Sequence, residues 1–464
     1  MTPDASAEPT EAPHTASVSP TASTATTTPR SPSALGLTVS ADDIGAQLDV
    51  LMQIAQQNNG IRAAGTPGYV YSANYVERQL TQLGFQVYRW SFNFIFFDEA
   101  EPVQLIVGDQ QWSGADWLHA MLYSAGGSVA GALQSVRLTP DGRVMGTGGC
   151  DPADWSDFVA GHVALVASGP CYRRDQVVNA QDAGAIGLIS LYPNWEVGQT
   201  RRPTLLDPAG ITIPAIVAGG EPTQALLSAV AAGGSAQIVA NVTMTPATND
   251  NVLAEWPGQS EQVVMLGAHL DSVLDGPGIN DNGSGVATLL SLARSVAANP
   301  QPQKGIRFGF WGAEEYGELG STAYVQGQDS TALGKIEDYF NLDMVGSPNA
   351  GRFVYDDTGA PAGSDELVQR LLKALSAAGK PGLTTDVGGA SDHFQFGQAG
   401  IPVAGVFSGL GPLTSEDVSV FGGEVGVPAD ACYHLACDTR DNINLDSAVT
   451  LGQAVADVVQ ELAY

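Results

Sequence analysis

The chain has 464 residues, 44% of them hydrophobic, and its 49 acidic side chains against 19 Lys and Arg leave a formal charge of −30. So acidic a balance excludes nucleic acid and anionic membrane as partners, because both require a basic footprint. No apolar run reaches the ~18 to 20 residues of a membrane-spanning helix, so no membrane-spanning segment is expected, and the length allows two or three domains.

Residues 1–37 are rich in Thr, Ser, Pro and Ala and hold no aromatic residue, so they are expected to be a disordered tail. His14 lies within it. The tail lacks the charged and apolar segments of a signal peptide, so an export signal is expected upstream of it. The tail itself would be a linker tethering a secreted or extracellular protein to the cell surface. From Ser40, Ile44, Leu48, Leu51 and Ile54 recur at helical spacing after Asp42 and Asp43. A second helix is expected over about 69–83, with Tyr75, Val76, Leu80 and Leu83 on its inner face and Gly84 as its stop. Gly65-Thr66-Pro67-Gly68 reads as a loop, and the segments 85–94 and 103–107 read as two strands.

The composition shifts near 124–129. Residues 126–242 have their own apolar runs in the order strand, helix, strand, and are long enough for a small domain. They hold His162 but no cluster of acids and imidazoles, which marks a non-catalytic module. Segments 38–125 and 243–464 would then be one domain split around an insertion. From Asn251 onward, apolar strands at 251–256, 263–270, 306–312 and 401–408 alternate with helices at 285–298, 364–378 and 445–462. That order predicts an α/β fold with a mostly parallel central sheet flanked by helices. In such sheets ligands gather outside the carboxyl ends of the strands.

Polar side chains stand at those ends. His269 closes one apolar run, Asp281 follows in a Gly-rich loop, Glu314 and Glu315 close the next run, and Asp343 a third. His434 lies further on, in the segment CYHLAC. Any one of these residues would ordinarily be structural; together, at successive strand ends, they form a set of oxygen and nitrogen donors that suits zinc. One zinc takes about three protein ligands, so five donors point to two metals sharing a bridging carboxylate. The neighbours Glu314 and Glu315 cannot both aim at one atom. One can ligate, leaving the other to take a proton from metal-activated water. Asp271, two residues past His269, would share its strand face and fix the imidazole tautomer. His119 reads as packing or surface. Cys150, Cys171, Cys432 and Cys437 suit two local disulfides, Cys150 with Cys171 and Cys432 with Cys437, among three possible pairings. Disulfides imply an oxidising compartment. There is no G-x-S-x-G, P-loop or dinucleotide fingerprint, which removes serine hydrolase, NTPase and dehydrogenase readings.

In the order and spacing of these motifs, residues 40–464 resemble the secreted bacterial dizinc aminopeptidases, of the family that also holds glutamate carboxypeptidase and glutaminyl cyclase. The twelve-residue step from His269 to Asp281 and the twenty-eight-residue step from Glu315 to Asp343 look like that family's. The resemblance implies that His269 and Asp343 hold one Zn2+, that Glu315 and His434 hold the other, and that Asp281 bridges them. It makes Glu314 the general base and Tyr433 the donor to the developing oxyanion, and it implies a cis peptide between Asp281 and Asn282. Residues 126–242 resemble the protease-associated domain that many such enzymes carry beside the substrate cleft, including its Cys150–Cys171 pair. One departure is that Gly388-Gly389-Ala390 precedes Ser391-Asp392-His393 where close relatives often carry a substrate-contacting Arg. His393 is read as packing near the site and not as a ligand.

The resemblance thus implies a monomeric, exported aminopeptidase that hydrolyses the first bond of peptides with a free N-terminus, using hydroxide held by two zinc ions. Alternatives on the same scaffold are a carboxypeptidase, a glutaminyl cyclase and a non-catalytic receptor-like relative. The scarcity of Arg around the motifs counts against the first, the insertion against the second, and the complete donor set against the third.

Overall fold

The computed structural model describes residues 36–464. The expected tail, with His14, lies outside them except for its last two residues. Leu37 belongs to the folded core and not to a tail: it is 2% exposed, and its N–H donates to Gln460 Oε1 at 2.7 Å.

Helix α1 (Ala41–Gln57) is capped by the Ser40 hydroxyl, which accepts from the Asp43 N–H, and it buries Ile44, Leu48, Leu51 and Ala55. Helix α2 (Pro67–Leu83) begins inside the expected loop 65–68. Proline suits a first turn, where its missing N–H would have no partner. The helix ends at Gly84, whose φ of 94° suits a residue without Cβ.

Fourteen strands follow in the described residues. The first eight are β1 (Gln86–Val107), β2 (Gln110–Ser113), β3 (Leu118–Ala120), β4 (Gly127–Ser135), β5 (Val163–Ala167), β6 (Gly187–Tyr192), β7 (Ala215–Gly219) and β8 (Ser235–Trp256). The remaining six are β9 (Val263–His269), β10 (Gly305–Trp311), β11 (Ile336–Leu342), β12 (Phe353–Tyr355), β13 (Leu383–Thr385) and β14 (Val403–Phe407). The principal helices among and after them are α3 (Arg173–Asp182), α4 (Glu221–Ala231), α5 (Gly283–Ala298), α6 (Ser364–Ala377) and α7 (Leu445–Ala463).

Strands β14, β11, β9 and β10 lie side by side and parallel, and β12 and β8 border them antiparallel. Central β9 is buried along its whole length, as a strand covered on both faces must be. Alternation sends Val264, Leu266 and Ala268 into the core made with α1, α2, α5, α6 and α7. Val263 and Met265 face the other way, toward Trp311, Tyr339 and Phe396. On that face Trp311 Nε1 donates to Tyr339 Oη at 2.9 Å directly over Gly267, where a Cβ would collide with both.

The two strands expected at 85–94 and 103–107 are one. Strand β1 runs unbroken for 22 residues and pairs antiparallel with the equally long β8. The boundary placed at 242/243 therefore falls inside β8, which passes from the main sheet to β4 of the inserted region. There β4, β5, β6 and β7 run parallel. The core of this region also takes in Ala313 and Tyr316, which bracket Glu314 and Glu315. Both expected disulfides are formed, Cys150 with Cys171 and Cys432 with Cys437.

A buried ionic knot joins the inserted region to the main domain. Arg202 reaches the Asp275 carboxylate with Nε and Nη2, both at 3.0 Å, and Glu99 Oε2 with Nη1 at 2.7 Å. His119 joins this knot through Nδ1, 2.8 Å from Arg202 Nη2. Burial pushes the Glu99 carboxyl up, but the neighbouring His119 and Arg202 outweigh it and hold it at about 2. For Asp275, burial is likewise overcome by the Arg202 charge, again to about 2. Both folded values lie below the unfolded values of about 4. Their stabilisation is therefore fully present above pH ~4 and is lost as pH falls toward 2. Arg202→Met strands two buried acids and is expected to cost about 3–5 kcal/mol at neutral pH. Unfolding titrations should show the gap from the parent chain narrowing between pH 4 and 2.

Candidate metal centre

The carboxyl ends of three neighbouring parallel strands converge on one point. Strand β9 ends at His269, Asp343 follows β11 directly, and Glu314 and Glu315 come just after β10. Ala313 (φ 57°), Met344 (φ 47°) and His434 (φ 59°) all take left-handed backbone, at a cost of about 1–2 kcal/mol each. Such strain persists where surrounding contacts over-determine the conformation. Here the fully buried Asp271 carboxylate accepts the N–H groups of Glu314 at 3.1 Å and Glu315 at 3.3 Å. Asn282 Oδ1 accepts from Met344 N at 3.2 Å, and its Nδ2 donates to the Leu342 carbonyl at 2.8 Å. The peptide between Asp281 and Asn282 is cis.

Two imidazoles face the two oxygens of one carboxylate. His269 Nε2 lies 3.1 Å from Asp281 Oδ1 and 3.3 Å from Asp343 Oδ1. His434 Nε2 lies 3.1 Å from Asp281 Oδ2 and 3.0 Å from Glu315 Oε2. Glu314 Oε2 stands further from His269 Nε2, at 3.9 Å, although Glu314, His269 and Asp343 can bring one ligand atom each within 4.8 Å of one another. His269, Asp281 and Glu315 form a second such group.

The chemistry of this cage fits dications. Asp343 Oδ1 and Glu315 Oε1 are buried and make no hydrogen bond. Burial pushes the Glu314 and Glu315 carboxyls up, and the negative charges of neighbouring acids push them further. Burial pulls His434 down, but Glu315 and Asp281 draw it up to about 10. Hydrogen bonds from both imidazoles overcome burial at Asp281 and hold it well below the usual carboxylate range. Four carboxylates around two imidazoles thus attract positive charge, and oxygen and nitrogen donors at these spacings could hold zinc.

Further hydrogen bonds aim the donors. Ser391 Oγ donates to Asp343 Oδ2 at 2.6 Å and accepts from Asn341 Nδ2 at 2.8 Å, leaving Asp343 Oδ1 to face His269. Asp438 accepts the N–H groups of Asn280 at 2.8 Å and Asp281 at 3.0 Å. Asp430 accepts from Asn280 Nδ2 at 2.6 Å and Cys432 N at 2.8 Å, joining the Asp281 loop to the loop of Tyr433 and His434.

Asp271 does not contact His269 in the way its spacing predicts. The nearer partner of Nδ1 is the Asp271 backbone carbonyl, at 3.2 Å, while the carboxylate lies 3.9 Å away. Strand β9 stops at His269, so the alternation that would put both side chains on one face no longer applies. Arg62, in the connection between α1 and α2, escaped the sequence reading altogether. Its guanidinium is fully buried and donates to the carbonyls of Leu270, Pro277 and Gly278, fastening the loop between His269 and Asp281 from below. No local pattern marks it, because its partners lie more than 200 residues away.

Tyr433 stacks on His434 with ring centroids 3.7 Å apart. Burial and the nearby carboxylates, Asp281 foremost, push its pKa well above the ordinary value, so the hydroxyl stays protonated and able to donate. His393 packs against the Tyr355 ring at 4.7 Å.

The model of Peptidase family M28 matches residues 251–459, and that of the PA domain matches residues 135–226. An aminopeptidase of Pseudomonas aeruginosa is 35% identical over 91% of this chain and 81% of its own length. A probable lipoprotein aminopeptidase, LpqL, of Mycobacterium tuberculosis is 36% identical over 91% of this chain and 84% of its own. Among solved structures, BSAP, a zinc aminopeptidase from Bacillus subtilis, is similar with a TM-score of 0.71 at 26% identity, covering 92% of this chain and 96% of that one. Sequence kinship along nearly the whole chain, together with the strand-end cluster of acids and imidazoles, places this protein in peptidase family M28, with a PA domain at residues 135–226.

Proposed function

We propose that this chain is an exported aminopeptidase that hydrolyses the first bond of peptides with a free N-terminus and works with two zinc ions. The observation that carries this reading is the pair of imidazoles set 3.1 Å from the two oxygens of Asp281. His269 and Asp343 would hold one ion, His434 and Glu315 the other, and Asp281 would give one oxygen to each. Zinc, when bound, polarises the substrate carbonyl and lowers the pKa of water to roughly 7.

The remaining steps belong to the chain's own groups. The Glu314 carboxylate accepts the proton of the attacking water and returns it to the nitrogen of the leaving amine. Its remoteness from the imidazoles relative to Asp343 and Glu315 supports this assignment. The Tyr433 hydroxyl donates to the carbonyl oxygen as negative charge grows there, which stabilises the tetrahedral arrangement. Glu314 and Asp343 lie together on one side of the centre and would receive the substrate ammonium, favouring a free N-terminus. Kinship with proteins named as aminopeptidases supports the substrate class. The two disulfides and the kinship with a lipoprotein support export. Among the described residues no helix is long and apolar enough to cross a membrane.

Aminoacyl-p-nitroanilides with a free amine should be cleaved and N-blocked analogues should not, with chelator abolishing activity and zinc restoring it. Cleavage of blocked peptides from the C-terminus would instead identify a carboxypeptidase. Glu314→Ala should lower kcat by at least about 10²–10⁴-fold while metal analysis still finds about two zinc per chain; full activity would remove Glu314 from the mechanism. Ser391→Ala frees Asp343 Oδ2 and should weaken zinc affinity about 10–100-fold in chelator competition.

A further inference from the structure

A continuous column of stacked groups runs from the PA domain to the metal centre. Tyr192, at the end of β6, lies parallel to Trp195 with ring centroids 3.8 Å apart. The Arg201 guanidinium carbon sits 5.7 Å from the Trp195 ring centroid and also 5.7 Å from that of Tyr433. Tyr433 in turn stacks on His434, whose Nε2 faces Asp281 and Glu315. Arg201 also donates from Nε to the Tyr433 carbonyl at 2.8 Å, across 232 residues of sequence. Tyr192, Trp195 and Arg201 all fall within the segment matched as a PA domain.

We propose that Arg201 is a positioning residue that the PA domain supplies to the peptidase site, setting the direction of the Tyr433 hydroxyl. The inference rests on the role given to Tyr433 above. Tyr433 and His434 lie in the short loop closed by Cys432 and Cys437, outside any helix or strand. A stacked ring can slide within its plane, and a displacement of about 1 Å in a group acting at the reacting centre can cost 10²-fold in rate. Arg201 restrains both sliding and rotation, because its charge lies over the ring while its Nε–H holds the backbone carbonyl of the same residue. Arginine can do both at once, whereas a lysine ammonium offers no plane. Arg202 fixes where Arg201 can stand: its bonds to Asp275 and Glu99 anchor the segment to the loop between His269 and Asp281 and to β1. The PA domain would thereby act on the chemistry of the site.

The test is a double-mutant cycle on a free-amine aminoacyl-p-nitroanilide, with zinc content and thermal unfolding followed in every variant. Arg201→Met is expected to lower kcat about ten- to a hundredfold with KM within about twofold and zinc content unchanged; Arg201→Lys should recover only part of the loss. In the Tyr433→Phe background, Arg201→Met should cost less than about twofold more, because the hydroxyl it aims is gone. Unchanged kcat in Arg201→Met overturns the proposal, as do losses that multiply in the double variant or a loss confined to KM. If Arg201→Met does not fold, Trp195→Leu removes the opposite face of the sandwich and should lower kcat in the same manner but less; full kcat there overturns the proposal too. Loss in Tyr433→Phe with none in Arg201→Met defeats only this inference, whereas full activity in Tyr433→Phe defeats the role of Tyr433 itself.

Discussion

The structure depends on how one carboxylate is held. Asp281 presents one oxygen to His269 and the other to His434, and every other donor is placed relative to it. A buried carboxylate would ordinarily rise in pKa; here two imidazoles keep it anionic. Its own N–H is held by Asp438 and its neighbour Asn280 by Asp430, so the bridge has little freedom to turn. The same Asp430 holds Cys432, which places the His434 loop at a set distance from Asp281. The placing of the two imidazoles about Asp281 is therefore tied to hydrogen bonds of the protein itself.

Around this centre the fold spends conformational strain and buried charge. Left-handed residues precede Glu314, follow Asp343 and coincide with His434 itself. The first two are backed by buried polar side chains and packed core: Asp271 below the two glutamates, Asn282 beside Met344, and the PA-side core around Ala313 and Tyr316. Arg62 lies beneath the loop that joins His269 to Asp281, and its positive charge sits near Asp271, Asp438 and Asp281. A cluster of acids this dense needs such compensation even before a metal is considered.

The PA domain is attached to the site more intimately than its lack of catalytic residues indicates. Two adjacent arginines do this work in opposite ways. Arg202 is buried in an ionic knot and fixes the contact, while Arg201 lies between two aromatic rings and touches the loop that carries Tyr433. The scarcity of Arg near the motifs, read along the sequence, hid this cation because it comes from another domain. Its Nε is engaged with the Tyr433 carbonyl.

What the sequence determined by itself was periodic or local. Apolar runs ending in His, Asp or Glu marked the strands and their functional ends, because a buried parallel strand is uniformly apolar until it reaches its ligand-facing tip. The helix around 41–57 was legible from its spacing, those around 283–298 and 445–463 from their alternation with apolar strands, and the two local disulfides as one of three possible pairings. Only the tertiary structure decided that the Asp271 carboxylate accepts from the backbone of Glu314 and Glu315 while its carbonyl is the nearer partner of the His269 ring, because that depends on where β9 stops. It alone joined 85–94 to 103–107 in one strand, since a 22-residue β1 persists only against an equally long β8. It alone brought Arg62 beneath the metal loop and Arg201 onto Tyr433, since contacts spanning more than 200 residues leave no trace in local composition. Donor identity is a property of the residue, but donor orientation is a property of everything packed around it.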